Sequence, residues 1–172
     1  FGVYHGMKAA IKELTGSDSL KNKKIAVQGA GHVASYLCDH LAKEGAKLFV
    51  TDIFEKKVKL IVERTKAKYV HPDKIYDVDA DIFCPNALGA ILNDKTIPRL
   101  KAAIVAGGAN NQLADEKKHG MMLMKRGILY APDYAINAGG LMSVATEIEG
   151  QPHERAMKSA EGIYDTISKI KV

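Results

Sequence analysis

Apolar residues at Val3, Met7, Ala10, Ile11 and Leu14 recur at helical spacing and Gly16 closes the segment, so Phe1 to Leu14 is predicted as a helix. Shorter elements then alternate. Lys24 to Val27 reads as a strand, Val33 to Lys43 as an amphipathic helix with Gly45 as its C-cap, and Lys47 to Val50 as the next strand. Glu55 to Lys66 follows as a helix with Val58, Ile61 and Val62 on one face, then a short strand at Lys68 to Val70 and a turn at His71-Pro72-Asp73. Further strands are expected at Val78 to Phe83, Ala102 to Ala106 and Gly127 to Tyr130, with helices at Leu113 to His119, Gly140 to Glu149 and His153 to Lys169. Strands alternating with helices predict an α/β chain with a doubly wound, mostly parallel sheet and helices on both faces. With no internal repeat, low-complexity stretch or linker, residues 1–172 read as one domain.

In such sheets ligands bind beyond the carboxyl ends of the strands. Four strands here end in glycine-rich or amide-rich segments: Gly29 to Ala34, Cys84 to Gly89, Gly107 to Gln112, and Asn137 to Gly140. The first completes the run Ile-Ala-Val-Gln-Gly-Ala-Gly-His-Val-Ala, with the pattern Gly-x-Gly-x-x-Ala between a strand and a helix. Gly29 permits the tight turn, Gly31 lets the backbone approach a pyrophosphate, and Ala34 allows close packing of helix on strand. Ala30, His32 and Val33 complete that loop, and phosphates would sit on free N–H groups at the helix N-terminus. Asp52 lies roughly 20 residues on, just past the second strand, where a carboxylate accepts hydrogen bonds from an adenosine ribose. These features make the predicted fold Rossmann-type. The carboxylate repels a 2′-phosphate and so favours NAD over NADP, while Lys56 and Lys57 bring opposite charge close by. The plainer reading is an ordinary βαβ unit with a glycine turn; a strand and a helix on the correct sides favour the dinucleotide.

The other segments stay ambiguous on spacing alone. Asn110 and Asn111 suit a carboxamide such as that of nicotinamide, because Asn offers donor and acceptor together, and equally suit a helix cap. Asn137 before Gly139-Gly140 has the same ambiguity. Cys84 follows an apolar strand as a nucleophile would, but no histidine lies near it in sequence, and a buried thiol is the plainer expectation. The six histidines show no metal-ligand spacing, and His32 either covers the phosphates or faces solvent. No Gly-x-Ser-x-Gly elbow appears and no lysine is marked as a base.

Composition narrows the class. The 172 residues are 47% hydrophobic and 26% charged, values of a globular domain able to bury its own core. The longest apolar runs fall short of the roughly 18 residues a membrane span needs, and no basic-then-apolar leader opens the chain, so a cytoplasmic location is expected. Two cysteines cannot build a disulfide framework, and Cys38 falls inside a helix. The net charge of +5 is spread over the chain without interleaved aromatics, which favours a solvated face over a nucleic-acid surface.

Longer stretches are more specific than any of these signals. Gly2 to Ala10, Gly16 to Leu20, Ala26 to Ala34, Gly45 to Ile53, Asn93 to Pro98, Ala109 to Leu113 and Tyr130 to Gly140, with Glu154 to Lys158 and Ile163 to Asp165, resemble the leucine and phenylalanine dehydrogenase branch of the amino-acid dehydrogenases. The resemblance implies reversible NAD-dependent oxidative deamination of an apolar L-amino acid to a 2-oxo acid and ammonia. It implies that Gly29 to Ala34 bind the pyrophosphate, Asp52 with Ile53 the adenosine end, Ala87 and Leu88 the region between ribose and nicotinamide, and Ala109 with Asn110 the nicotinamide side. Asn137 would reach the nicotinamide or the substrate, and Leu141 and Val144 would line the side-chain pocket. It further implies that the catalytic lysine and aspartate lie in an N-terminal domain preceding Phe1, that residues 1–15 form a leading interdomain helix, that a final C-terminal helix is missing, and that the full enzyme is a homo-oligomer. The chain departs from the family pattern at Cys84 and Asn86, where Ala and Cys are usual, at Gly108 for Ser, Ser143 for Asn, Thr146 for Asp, and at the bulkier Leu141-Met142. The rival from another class is a non-catalytic dinucleotide-binding module or degenerate subunit; a glutamate-specific enzyme would differ only in substrate and is disfavoured by the apolar Leu141 and Val144.

Overall fold

In a computed structural model of the protein, residues 2–136 are described. Six strands, β1 (Lys24–Gln28), β2 (Lys47–Thr51), β3 (Lys68–Tyr69), β4 (Ile82–Pro85), β5 (Ile104–Val105) and β6 (Leu129–Tyr130), form one sheet in the order β3-β2-β1-β4-β5-β6. All pairings are parallel. The helices are α1 (Gly2–Thr15), α2 (His32–Glu44), α3 (Glu55–Thr65), α4 (Glu116–Lys125) and α5 (Asp133–Ile136). This is the expected doubly wound α/β architecture.

Burial on both faces explains why the central strands are continuously apolar. Ile25 and Val27 of β1 join a core with Met7 and Ile11 of α1, Leu37 and Leu41 of α2, and Ile61 of α3. Ala26 faces the opposite way, into a second core with Phe83, Val105, Ile75, Leu92, Ile97 and Leu123. Full burial of each large side chain contributes about 1.5–3 kcal/mol, so the two cores hold the sheet from both sides. The register sets Gln28 opposite Thr51 on one side and Pro85 on the other, which brings the strand ends onto a common rim.

Helix ends follow their residues. Gly45 takes the left-handed conformation (φ 90°) at the end of α2. Lys66, also left-handed, is the C-cap of α3, so that helix ends one residue before the pattern suggested. Glu44, in the last turn of α2, accepts from Tyr4 Oη (2.5 Å), Leu20 N–H (2.8 Å) and Lys8 Nζ (3.2 Å), tying α1 to α2. Burial alone would raise the Glu44 pKa, but those three donors outweigh it and hold the carboxyl below its ordinary range. Burial, with Glu44 beside it, pushes the Tyr4 hydroxyl up to about 12.

Two expectations are corrected. The strand expected at Val78 to Phe83 is β4 at Ile82–Pro85, because residues 72–77 form a 3-10 helix and Ala80 N–H turns back onto the Val78 carbonyl. The alternating burial of Val78 and Ala80 mimics a strand. The helix expected at Leu113 to His119 is α4 at Glu116–Lys125: Asp115 caps it through Lys118 N–H at 2.8 Å, while Leu113 pairs with Leu92 in an isolated bridge. β5 and β6 are also shorter than their apolar runs. The helices expected at 140–149 and 153–169 lie outside the described residues.

Candidate functional site

The loop after β1 is built for close approach. Gly29 has φ +106°, and a Cβ there would come within 2.8 Å of the Asn86 carbonyl, so the turn requires glycine both for its backbone and for its packing. Its N–H bonds the Thr51 carbonyl at 2.8 Å. Ala30 N–H donates to Asp52 Oδ2 at 2.7 Å, and Phe54 N–H donates to Asp52 Oδ1 at 2.9 Å. Asp52 therefore ties the loop to the end of β2 and still keeps lone pairs for further donors such as ribose hydroxyls. Sequence spacing placed this carboxylate but did not reveal its bond to the loop.

Gly31 is the N-cap of α2 and makes no side-chain cap bond. A Cβ on Gly31 would meet nothing within 4 Å. Open space thus stands over a helix N-terminus without a side-chain acceptor, the setting in which backbone N–H groups hold a phosphate. Ala34, 1% exposed, sits in the core beneath and lets α2 lie against the sheet.

A cleft of about 470 Å³ opens on this rim. Of the residues named from sequence, Gly29, Gly31, Asp52, Ile53, Ala87 and Leu88 line it together. Ile53 and Leu88 are 78% and 83% exposed, two apolar surfaces in the cleft on which flat rings could rest. Lining residues that the sequence did not single out include Gln28, Thr51 and Phe54, while Lys57 and Asn86, noted there only as a nearby charge and a departure from the family pattern, line it as well. Gln28 and Thr51 are partners in the β1–β2 register, and their buried Oε1 and Oγ1 atoms have no hydrogen-bond partner, although Gln28 Nε2 donates to Tyr76 Oη at 2.7 Å. Leaving such atoms unpaired costs about 1–3 kcal/mol each, which a polar ligand would recover. Both the open cradle at Gly31 and these orphaned oxygens fit a dinucleotide.

Ala30 and the exposed His32 border a second hollow of about 220 Å³, with Ser35, Lys57 and Arg64. Arg64 is engaged there by Asp39 (2.6 Å) and Ser35 Oγ (2.7 Å). Val33 is 59% exposed at the start of α2.

The ends of β4 and β5 are locked together. Ala109 N–H bonds the Pro85 carbonyl at 2.9 Å, and Gln112, fully buried, donates through Nε2 to the carbonyls of Gly107 and Ala109, both at 2.9 Å. Ala109 is buried and Asn110 exposed in the segment this holds. The capping alternative for Asn110 and Asn111 fails, since Asp115 caps α4. Cys84 is fully buried, and burial pushes its thiol far above the ordinary range, so it is not a nucleophile. Burial likewise pushes Cys38 up to about 12. Asn137, Leu141 and Val144, with Ser143 and Thr146, lie outside the described residues. Among the described residues no three His, Cys, Asp or Glu side chains group as metal ligands, and no helix is long and apolar enough to cross a membrane.

A parallel sheet in the order 3-2-1-4-5-6, with a glycine turn at the end of β1 and the cleft at its switch point, defines a Rossmann-type domain. The chain belongs to the Glutamate/Leucine/Phenylalanine/Valine dehydrogenase family, whose model matches residues 1–53 and 50–171. It is 61% identical over 170 residues to a leucine dehydrogenase of Thermoactinomyces intermedius, covering 99% of this chain and 46% of that protein. A phenylalanine dehydrogenase of Lysinibacillus sphaericus is 47% identical over 174 residues, covering 98% and 45%. The solved L-tryptophan dehydrogenase of Nostoc punctiforme superposes with a TM-score of 0.95 at 48% identity, covering 97% of this chain and 51% of that one. The chain thus spans about half the length of the relatives it matches.

Proposed function

We propose that this chain is the C-terminal, NAD-binding domain of an amino-acid dehydrogenase that reversibly deaminates an apolar L-amino acid to a 2-oxo acid and ammonia. The cleft at the switch point carries the reading: the open cradle at Gly31, the Asp52 carboxylate and the orphaned Thr51 and Gln28 oxygens stand within one space. Gly29 to Ala34, His32 included, would receive the pyrophosphate, and Asp52 with Ile53 the adenosine. Ala87, Leu88, Ala109, Asn110 and Asn137 would receive the nicotinamide half, and Asn137, Leu141 and Val144 would border the substrate side chain. Bound NAD would supply the hydride acceptor. This chain's part is to hold and orient, worth several powers of ten in rate when a near-attack geometry results. No catalytic side chain is assigned here; proton transfer is proposed for the half of the relatives that this chain does not match, across a cleft between the two halves, in a cytoplasmic homo-oligomer.

Leucine is the favoured substrate, supported by the 61% identity to a leucine dehydrogenase, with aromatic amino acids next. A degenerate module would explain the departures at Asn86 and Gly108 as loss of function. The hydrogen bond from Gly108 N–H to Asn86 Oδ1 supports reading them instead as one accommodated pair.

Calorimetric titration with NAD and NADP tests the proposal. The chain is expected to bind NAD saturably, about tenfold or more tighter than NADP because Asp52 repels the 2′-phosphate, and to show no turnover of leucine. Absence of NAD binding would refute it, and turnover by the chain alone would refute the assignment of proton chemistry to a separate half.

A further inference from the structure

The Asn86 carboxamide stands between the end of β4 and the loop after β5. Its Oδ1 accepts from Gly108 N–H at 2.9 Å, while Nδ2 donates to Cys84 Sγ at 2.9 Å and to the Cys84 carbonyl at 3.3 Å. The chemistry of the partners fixes which way the amide faces. The Gly108 N–H can meet only an acceptor, and the Cys84 carbonyl only a donor, so a flipped amide would lose both bonds. Cys84 cannot move to another role, being fully buried with its thiol protonated.

A side chain at position 108 would have to displace the Asn86 carboxamide. A Cβ there would come within 2.7 Å of Asn86 Oδ1 and 3.2 Å of Val33 Cγ1. Asn86 also lines the cleft that holds Gly31 and Asp52. A dinucleotide running from Asp52 across Gly31 must leave its second ring over the ends of β4 and β5, where this carboxamide sets the distance between the two loops.

We infer that Asn86 is a positioning residue for the nicotinamide end of a bound dinucleotide, acting by locking the loop after β4 to the loop after β5 through the Gly108 N–H. The inference rests on the NAD reading above. It predicts that residues 86 and 108 act as one unit and that their influence is confined to the nicotinamide half of the ligand.

The test titrates the 172-residue chain with NAD and with ADP, which lacks the nicotinamide half. Asn86→Ala is expected to weaken NAD about fivefold or more while changing ADP less than about twofold, a selectivity that general damage to the fold would not produce. Gly108→Ser alone is expected to weaken NAD about tenfold, and the double variant Asn86→Ala/Gly108→Ser to bind NAD at least as well as Gly108→Ser, because removing the carboxamide relieves the clash. If Asn86→Ala does not fold, Gly108→Ser carries the same NAD-to-ADP comparison. Equal losses for NAD and ADP, or single effects that simply multiply in the double variant, would overturn the inference and leave the NAD reading standing. A wild-type chain that binds neither ligand would overturn both.

Discussion

The two halves of the strand-end rim are built on opposite principles. On the β2–β1 side polar groups are left unmet by the protein: Gly31 has open space above it, and the buried Thr51 Oγ1 and Gln28 Oε1 beside the cleft have no protein partner. On the β4–β5 side polar groups are used up within the protein: Asn86 holds Gly108, Gln112 Nε2 bridges Gly107 and Ala109, and Ala109 N–H bonds Pro85. Of the Gln112 carboxamide only Oε1 lacks a partner. One half can recognise a ligand through unmet donors and acceptors. The other offers a fixed shape, and its specificity lies in how far apart two loops are held.

The largest expected effect comes from breaking the closed half. A Cβ on Gly107 would sit 2.2 Å from the Pro85 carbonyl oxygen and 2.5 Å from its ring, both parts of a strand that cannot step aside. Gly107→Ala is therefore expected to cost about 3 kcal/mol of stability in denaturant unfolding, the upper range for overpacking. A loss below about 1 kcal/mol would show that the loops are not stapled at all. The matching change on the open half reverses the pattern. Gly31→Ala adds a methyl group where nothing lies within 4 Å, at a backbone conformation any residue adopts (φ −73°), so stability should fall by no more than about 1 kcal/mol, the cost of alanine in place of glycine at an N-cap. NAD affinity should nevertheless fall about tenfold or more, because the methyl group occupies the space proposed for the pyrophosphate. Undiminished NAD binding by this variant would place the phosphates elsewhere.

What the sequence disclosed follows the same division. The open half is local: Gly29, Gly31 and Asp52 belong to a single βαβ unit, so their spacing carries their geometry. The convergence of strand ends on one rim was also legible, because parallel strands in a doubly wound sheet share their direction. The closed half depends on pairings across strands. Asn86 and Gly108 looked like two separate departures from a family pattern, and only the adjacency of β4 and β5 makes them one contact. The Gln28–Thr51 pair was hidden for a related reason, since it exists only through the β1–β2 register. Misplaced boundaries had a different cause: Leu113 and Val78 are apolar because they pack, Leu113 in a bridge to Leu92 and Val78 against the second core, and periodicity cannot tell such packing from a helix or strand.

The smallest expected effect discriminates most finely between the two halves. Thr51 is 1% exposed, and its hydroxyl lies buried beside the cleft without a partner. Thr51→Val keeps the shape of the side chain and removes only that hydroxyl. A buried hydroxyl with a protein partner would contribute about 1 kcal/mol and its loss would destabilise the fold. Here burial is uncompensated, so the variant should be as stable as the parent or more stable by up to about 1 kcal/mol. If the hydroxyl instead awaits the ligand, NAD affinity falls by about threefold to tenfold, the loss of one neutral hydrogen bond. Stability held and affinity reduced would assign Thr51 to recognition. Reduced stability with unchanged affinity would assign the hydroxyl to the fold, and the open half would then be closed by the same means as its neighbour.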